Sequence, residues 1–313
     1  MLDIENRLLA INSNRDKANE MRDMIYDLFT SRKPTLLVAS GSSKVVAYYL
    51  QLLLGDEMIC EVIEPRDYFY RYDISKFSNL VVITSDIDKN RFREILNSFK
   101  GLKYLVCKEM IKEEYNAVSW GDNIKEELID TSLGPITMML DITGFGSFRL
   151  GITDKDIYLV NKEVKELLKN SNDNITKLSY SFKNNNIIQI ISGFETICSC
   201  KLLESYLIEY GLCIPIIHDK GELCNGRYNI LSKEFPIIYL AHSYNDLDKT
   251  IINILEREYQ NILCFNTIDV NLNGLCWEEY YLLLQMSYLV DKIKNDKKYI
   301  DKPLVKTLFD SKY

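Results

Sequence analysis

Residues 35–55 read TLLVASGSSKVVAYYLQLLLG. An apolar run ends at a serine and a glycine, and apolar residues then recur at helical spacing. A strand that breaks at glycine and enters a helix directly is the building step of an α/β sheet. The step repeats outward from here. MICEVIEP (58–65), NLVVITS (79–85) and KYLVCKEM (103–110) are further apolar strands, and DKNRFREILNSFK (88–100) has helical spacing. NAVSW (116–120) reads as an edge strand, and a helix follows over about 129–140.

A second series starts near residue 186. NIIQIISG (186–193), CIPIIHD (213–219), FPIIYLAH (235–242) and NILCFN (261–266) are its strands. ETICSCKLLESYLIEYG (195–211) and DLDKTIINILEREY (246–259) are helices between them. WEEYYLLLQMSYLVDKIKNDKKY (277–299) is a long amphipathic helix, whose apolar side suits its own chain or a partner equally well. Continuous apolar strands alternating with helices predict parallel sheets covered on both faces. The expected fold class is therefore α/β, as two tandem three-layer α/β/α subdomains, each with a mainly parallel five-stranded sheet. DKDIYLVNKEVKELLKN (154–170) is the helical joint. The expected domains are 1–150 with an N-terminal helix and 151–313 with the C-terminal helix and tail.

Composition narrows the function. The chain has 313 residues, 47% of them hydrophobic and 27% charged, with a net charge of −7. A net acidic surface gains nothing from nucleic acid or an anionic membrane, so neither is an expected partner. No apolar run approaches the roughly 20 residues that span a bilayer. The first residues, MLDIENRLLAINSNRDK, form a polar amphipathic stretch without a signal-peptide core, and a cytoplasmic protein is expected. Eight cysteines without a C-x-x-C pair read as reduced core thiols, and two histidines make a zinc site unexpected. No metal or organic cofactor is expected.

In such sheets ligands gather beyond the carboxyl ends of the strands, so the residues after each strand are informative. After the first comes SGSSK (40–44), a glycine turn whose hydroxyls and first helix N–H groups suit an anion. Serine also caps helices for local reasons, and both readings stand. After the third come Thr84 and Ser85, which could donate to the same crevice, then Asp86 and Asp88, which would repel an anion or cap a helix starting near Lys89. In the second series HDKGELCNGRYN (218–229) holds seven polar or aromatic candidates, including His218 and Arg227, and is either a site wall or a solvated loop.

These segments resemble the sugar isomerase (SIS) domain family, in the tandem layout of the isomerase half of glucosamine-6-phosphate synthase, with altered motifs. SGSSK resembles the family's first phosphate turn, which implies that Ser42 and Ser43 touch a sugar phosphate. ITSDIDK (83–89) resembles the second turn, I-S-x-S-G-x-T/S, with Thr84 on the first serine, Asp86 on the second and Ile87 on the glycine. ELIDTSLGPITMML (127–140) resembles E-x-G-x-A-S-T-K, which places Glu127 on the leading glutamate and Ser132 on a sugar-contacting serine. KLLESYLIEYGLCIPIIHDKGELCNGRYN resembles the L-K-x-K-E … G-E-L-x-H-G-P segment. That match implies Glu209 as the base that moves a proton between C1 and C2, with Glu204 as the alternative, and Glu222 and Asn225 as contacts. Asn225 stands where relatives carry a ring-opening histidine, and an amide does not shuttle protons at neutral pH. YIDKPLVKTLF (299–309) resembles the D-x-P-R-x-L-x-K tail, which makes Lys306 either the tail lysine that reaches the sugar carbonyl or an exposed terminal lysine.

The resemblance implies a homodimer and a small-molecule sugar derivative as ligand. Three functions follow. One is a phosphosugar aldose–ketose isomerase or deaminase-type enzyme with a glutamate base. Another is a non-catalytic sugar-derivative sensor, and a third is a scaffold that keeps only the fold.

Overall fold

The structure, a computed structural model, describes residues 4–5, 9, 15–55, 58–70, 73–88, 91–108, 115–120, 128–140, 143–145, 148–149, 154–170, 176, 187–223, 225–242, 246–267 and 275–296. The chain divides into two compact units that meet in sequence between Ile157 and Tyr158.

The first unit begins with α1 (Arg15–Ser31), β1 (Thr35–Ala39), α2 (Ser43–Leu54), β2 (Cys60–Ile63) and α3 (Pro65–Tyr70). It continues through β3 (Asn79–Thr84), α4 (Phe92–Ser98), β4 (Leu102–Cys107), β5 (Asn116–Ser119) and α5 (Leu128–Leu140). A short antiparallel pair, β6 (Thr143–Phe145) and β7 (Phe148–Arg149), follows, and no alternation of residues pointed to it. Five strands form a parallel sheet in the order β2-β1-β3-β4-β5. Every residue of β1 and β3 is buried, as expected when helices cover both faces. On one face Leu36, Val38, Leu80, Val82 and Leu105 pack against Phe92, Ile95 and Leu96 of α4. Truncating the fully buried Phe92 would cost about 3–5 kcal/mol. The start of the sheet is pinned by Asn79, whose amide donates to Thr35 Oγ1 and Ser31 Oγ, both at 3.2 Å.

The helix α6 (Asp154–Asn170) runs across the joint. The second unit then contains β8 (Ile187–Ser192), α7 (Ile197–Glu209), β9 (Ile214–Asp219), α8 (Lys220–Leu223), β10 (Ile237–Leu240), α9 (Asp246–Glu258), β11 (Ile262–Phe265) and α10 (Leu275–Asp296). Its sheet is parallel in the order β11-β10-β8-β9. Four strands pair among the described residues, where five were expected. Ile191, Ile237 and Tyr239 pack against Ile251, Ile252 and Leu255 of α9. The side chains of α10 from Tyr280 to Leu284 are almost completely buried, and α10 packs on α7 of its own chain. That decides between the two packings that its apolar side allowed. Tyr288 of α10 also donates to Asn161 Oδ1 of α6 at 2.8 Å. The outer strand β9 leaves Ile214 63% and Ile216 39% exposed.

Among the described residues no helix is long and apolar enough to cross a membrane. Seven cysteines among them are free thiols.

Candidate functional site

In the first unit the strand order reverses between β1 and β3, and the turns after these strands flank the resulting crevice. Pairing of Ala39 with Ile83 sets the turns side by side. The first turn is made possible by Gly41, whose φ of 55° lies in the left-handed region that a side chain disfavours. Ser42 occupies the N-cap position of α2, yet its side chain makes no capping hydrogen bond. The capping reading of this serine therefore fails. The expectation of open helix N–H groups also needs correction. Those of Ser43, Lys44 and Val45 turn back to the carbonyls of Ser40, Gly41 and Ser42 at 3.1–3.2 Å. These three amides are therefore already satisfied within the turn. Ser132 of α5 is buried and donates to the Ser42 carbonyl at 3.3 Å, so two of the expected contact residues meet here. Ser43 is buried beside them. Glu127 lies outside the described residues.

The second turn closes on itself. The Thr84 hydroxyl donates to the Asp86 carbonyl at 2.9 Å and accepts from the Asp86 N–H at 3.1 Å. Asp86 Oδ1 accepts from the Asp88 N–H at 3.0 Å, and Arg93 Nε donates to Asp88 Oδ1 at 3.0 Å. Neither aspartate caps α4. That helix starts at Phe92 behind Arg91, which has φ 61° and makes no side-chain cap. Ser85 is exposed. Thr84 remains at the crevice, but its donor is spent within its own loop.

The corresponding crevice of the second unit lies between β8 and β10 and is occupied by the chain's own charges. After β8 comes Gly193, then Glu195, whose carboxylate bonds the Lys220 ammonium. Lys220 also lies 3.0 Å from Asp248 Oδ1, which accepts the Tyr239 hydroxyl at 2.6 Å. Burial works to lower the Lys220 pKa, but its hydrogen bonds to Glu195 and Asp248 outweigh burial and leave it raised. Burial, aided by Asp248, pushes the Tyr239 hydroxyl up. A Cβ on Gly193 would stand 2.2 Å from Glu195 Oε2, so glycine is what lets that carboxylate fold inward. By α7 and α10, the fully buried Glu279 accepts the Ser199 N–H at 2.6 Å, in the first turn of α7. Its other oxygen sits 2.8 Å from His242 Nε2, just beyond β10. Glu279 thus supplies, from inside the chain, an acceptor for one of the amides that a helix N-terminus leaves without a partner in the helix. Lys220 was within the quoted polar segment, but Glu195, Asp248, Tyr239 and Glu279 were missed. A glutamate among Trp277, Tyr280 and Leu283 on an otherwise apolar helix was the signal available for Glu279.

Glu209 ends α7, is half-buried, and has its carboxyl pushed up to about 7 by burial. Glu204, its alternative, is paired with Lys201 at 2.7 Å. In the HDKGELCNGRYN segment the buried His218 accepts from Arg227 Nε at 3.4 Å, and burial followed by Arg227 lowers its pKa. Arg227 also holds Glu222 at 2.8 Å. Asn225 is exposed and bonds the Gly221 carbonyl at 3.5 Å. Lys306 lies outside the described residues. Among the described residues no group of histidine, cysteine, aspartate and glutamate is placed to hold a metal ion.

No protein-family model matches the sequence, and no curated protein matches it significantly. Solved structures do match. A protein from Salmonella typhimurium, provisionally described as a phosphosugar isomerase, superposes with TM-score 0.65 at 11% identity, over 89% of this chain and 93% of that one. The C-terminal domain of glucosamine-fructose-6-phosphate aminotransferase from Francisella tularensis gives 0.59 at 16%, over 94% and 97%. Glucosamine-6-phosphate deaminase from Thermotoga maritima gives 0.59 at 14%, over 90% and 92%. At such identities the likeness speaks for architecture, and it agrees with the two sheets and their shared topology: the chain has the tandem two-subdomain α/β fold of the sugar isomerase domain proteins.

Proposed function

We propose that the chain binds a sugar phosphate or an amino-sugar derivative at the carboxyl edge of its first sheet; as an enzyme it would use Glu209 as its general base, as the family resemblance implies. The observation that carries the reading is the hydroxyl turn of Ser42 and Ser43 at the end of β1, with Ser132 donating to the Ser42 carbonyl. The second unit, by contrast, fills its crevice with Glu195, Lys220, Asp248 and Glu279. The named activities of the matching structures concern phosphorylated sugars, which supports the ligand class.

The reaction would be general acid–base transfer. A carboxylate removes a proton beside a carbonyl and returns it to the neighbouring carbon, and this works best when its pKa lies near the working pH. Glu209, raised to about 7, meets that requirement. Lys306 would serve the carbonyl, and a homodimer would complete the site, as the family resemblance implies. A second reading, a sensor without chemistry, draws on one observation. Asn225 and Glu222 are held within their own segment by Gly221 and Arg227, and Asn225 cannot shuttle a proton.

The test is a thermal-shift screen of hexose phosphates, amino-sugar phosphates and neutral sugars, since a ligand of the folded state alone raises the melting temperature. A shift lost in both Ser42→Ala and Ser43→Ala supports the crevice. Proton exchange into the bound sugar from deuterated water, lost in Glu209→Gln, supports the enzyme, and binding without exchange supports the sensor. A flat response to every class overturns both.

A further inference from the structure

Lys44 is the sole basic residue among the described residues of the turn segments 40–44 and 83–89, against Asp86 and Asp88; Lys89 lies outside the described residues. It belongs to the first turn of α2, and its ammonium is bonded to Glu64 Oε1. Glu64 directly follows β2. Val38 pairs with Ile63, so Glu64 comes off the sheet one strand away from the Ser40–Ser43 turn. The Glu64 backbone is fixed there, because its carbonyl accepts the N–H groups of Asp67 and Tyr68 at 3.0 and 3.3 Å. The side chains are 26% and 51% exposed, so water screens the pair and its rupture costs little.

Three facts then combine. The Thr84 donor is spent in its own loop, the helix amides of residues 43–45 are turned inward, and Asp86 brings negative charge to the neighbouring turn. An anion at this edge must find its counter-charge in a side chain, and Lys44 is the one that the described residues of these turns supply. We propose that Glu64 is a specificity determinant, a carboxylate resident on Lys44 that an anionic sugar displaces and a neutral sugar leaves in place. The inference rests on the proposed sugar site in the first unit. It adds that the Lys44–Glu64 exchange sets how far phosphorylated sugars are preferred over neutral ones. Glu64 competes with the anion for Lys44 and, from its fixed backbone, repels it.

The experiment is calorimetric titration of the full chain with fructose 6-phosphate, glucosamine 6-phosphate, inorganic phosphate and glucose, at low and at 0.5 M salt. Glu64→Gln is expected to bind the phosphorylated sugars about two- to fivefold more tightly, the range for releasing an exposed ion pair, with glucose unchanged. The gain should shrink at high salt. Lys44→Met should weaken the phosphorylated sugars by at least about fivefold, and Glu64→Gln added to Lys44→Met should give no further gain beyond the lost repulsion. If Glu64→Gln equals the wild type while Ser42→Ala still abolishes binding, the exchange is refuted and the sugar site stands. Weaker binding in Glu64→Gln would make Glu64 a support for Lys44 and overturn the proposal. So would equal changes for glucose and for the phosphates. If the wild type binds none of the four, the exchange and the site fall together.

Discussion

Replacing Glu209 by glutamine should stabilise the protein, and only above acid pH. In the folded chain burial raises this carboxyl from its ordinary 4.5 to about 7. The folded state therefore holds a proton that the unfolded chain has released across that window. Stability falls as pH rises through it, because the state that binds more protons is penalised by their removal. The gap of about 2.5, at 1.36 kcal/mol for each pKa unit, amounts to a penalty on the order of 3 kcal/mol at pH 8. It is nearly absent at pH 4.5, where the unfolded carboxyl is half protonated. Glutamine fills the same space and never ionises, so the variant should exceed the wild type by up to about 3 kcal/mol at pH 8 and match it at pH 4.5. Urea unfolding of both proteins at both pH values, without sugar, measures the double difference, and other titrating groups cancel in it. An equal difference at the two pH values, or a variant less stable at pH 8, would refute the argument. It would also remove the physical ground for Glu209 as a base working near neutrality.

Glu279→Leu should cost about 1–3 kcal/mol in urea unfolding, since it leaves the buried Ser199 N–H and His242 Nε2 without their hydrogen-bond partner. Gly193→Ala should cost about 1–3 kcal/mol by driving Glu195 off Lys220, and the cost should largely vanish in a Glu195→Ala background, a coupling that a double-mutant cycle would read. Tyr239→Phe leaves one Asp248 oxygen without its hydroxyl donor and should cost about 1–2 kcal/mol, seen as a lower urea midpoint at unchanged slope.

The strands were readable because buried parallel strands carry their burial in their own letters. NLVVIT is apolar on both faces, and β3 occupies Asn79–Thr84 as the run suggests. The joint helix coincides with its sequence pattern, Asp154–Asn170. The start of α4 was misread because DKN looked like a cap, whereas the chain spends Asp86 and Asp88 on each other and on Arg93 and begins the helix later. β6 and β7 are too short to show a period of two. In the site, the hydroxyl turn was legible from Ser-Gly-Ser-Ser, because a glycine at a strand end constrains the backbone by itself. The Lys44–Glu64 and Lys220–Glu195–Asp248 contacts join residues 20 or more apart, and a sequence gives no register for charges that meet only through tertiary packing.

The inward carboxylate of Glu279 has a thermodynamic corollary. A helix whose leading amide is already hydrogen-bonded from within has little to gain from any dissolved anion. Added ligand should thus leave amide exchange in the first turn of α7 at its basal rate, while slowing it around α2. The start of α7 becomes a silent internal reference, and α2 the part of the chain that registers what is in solution.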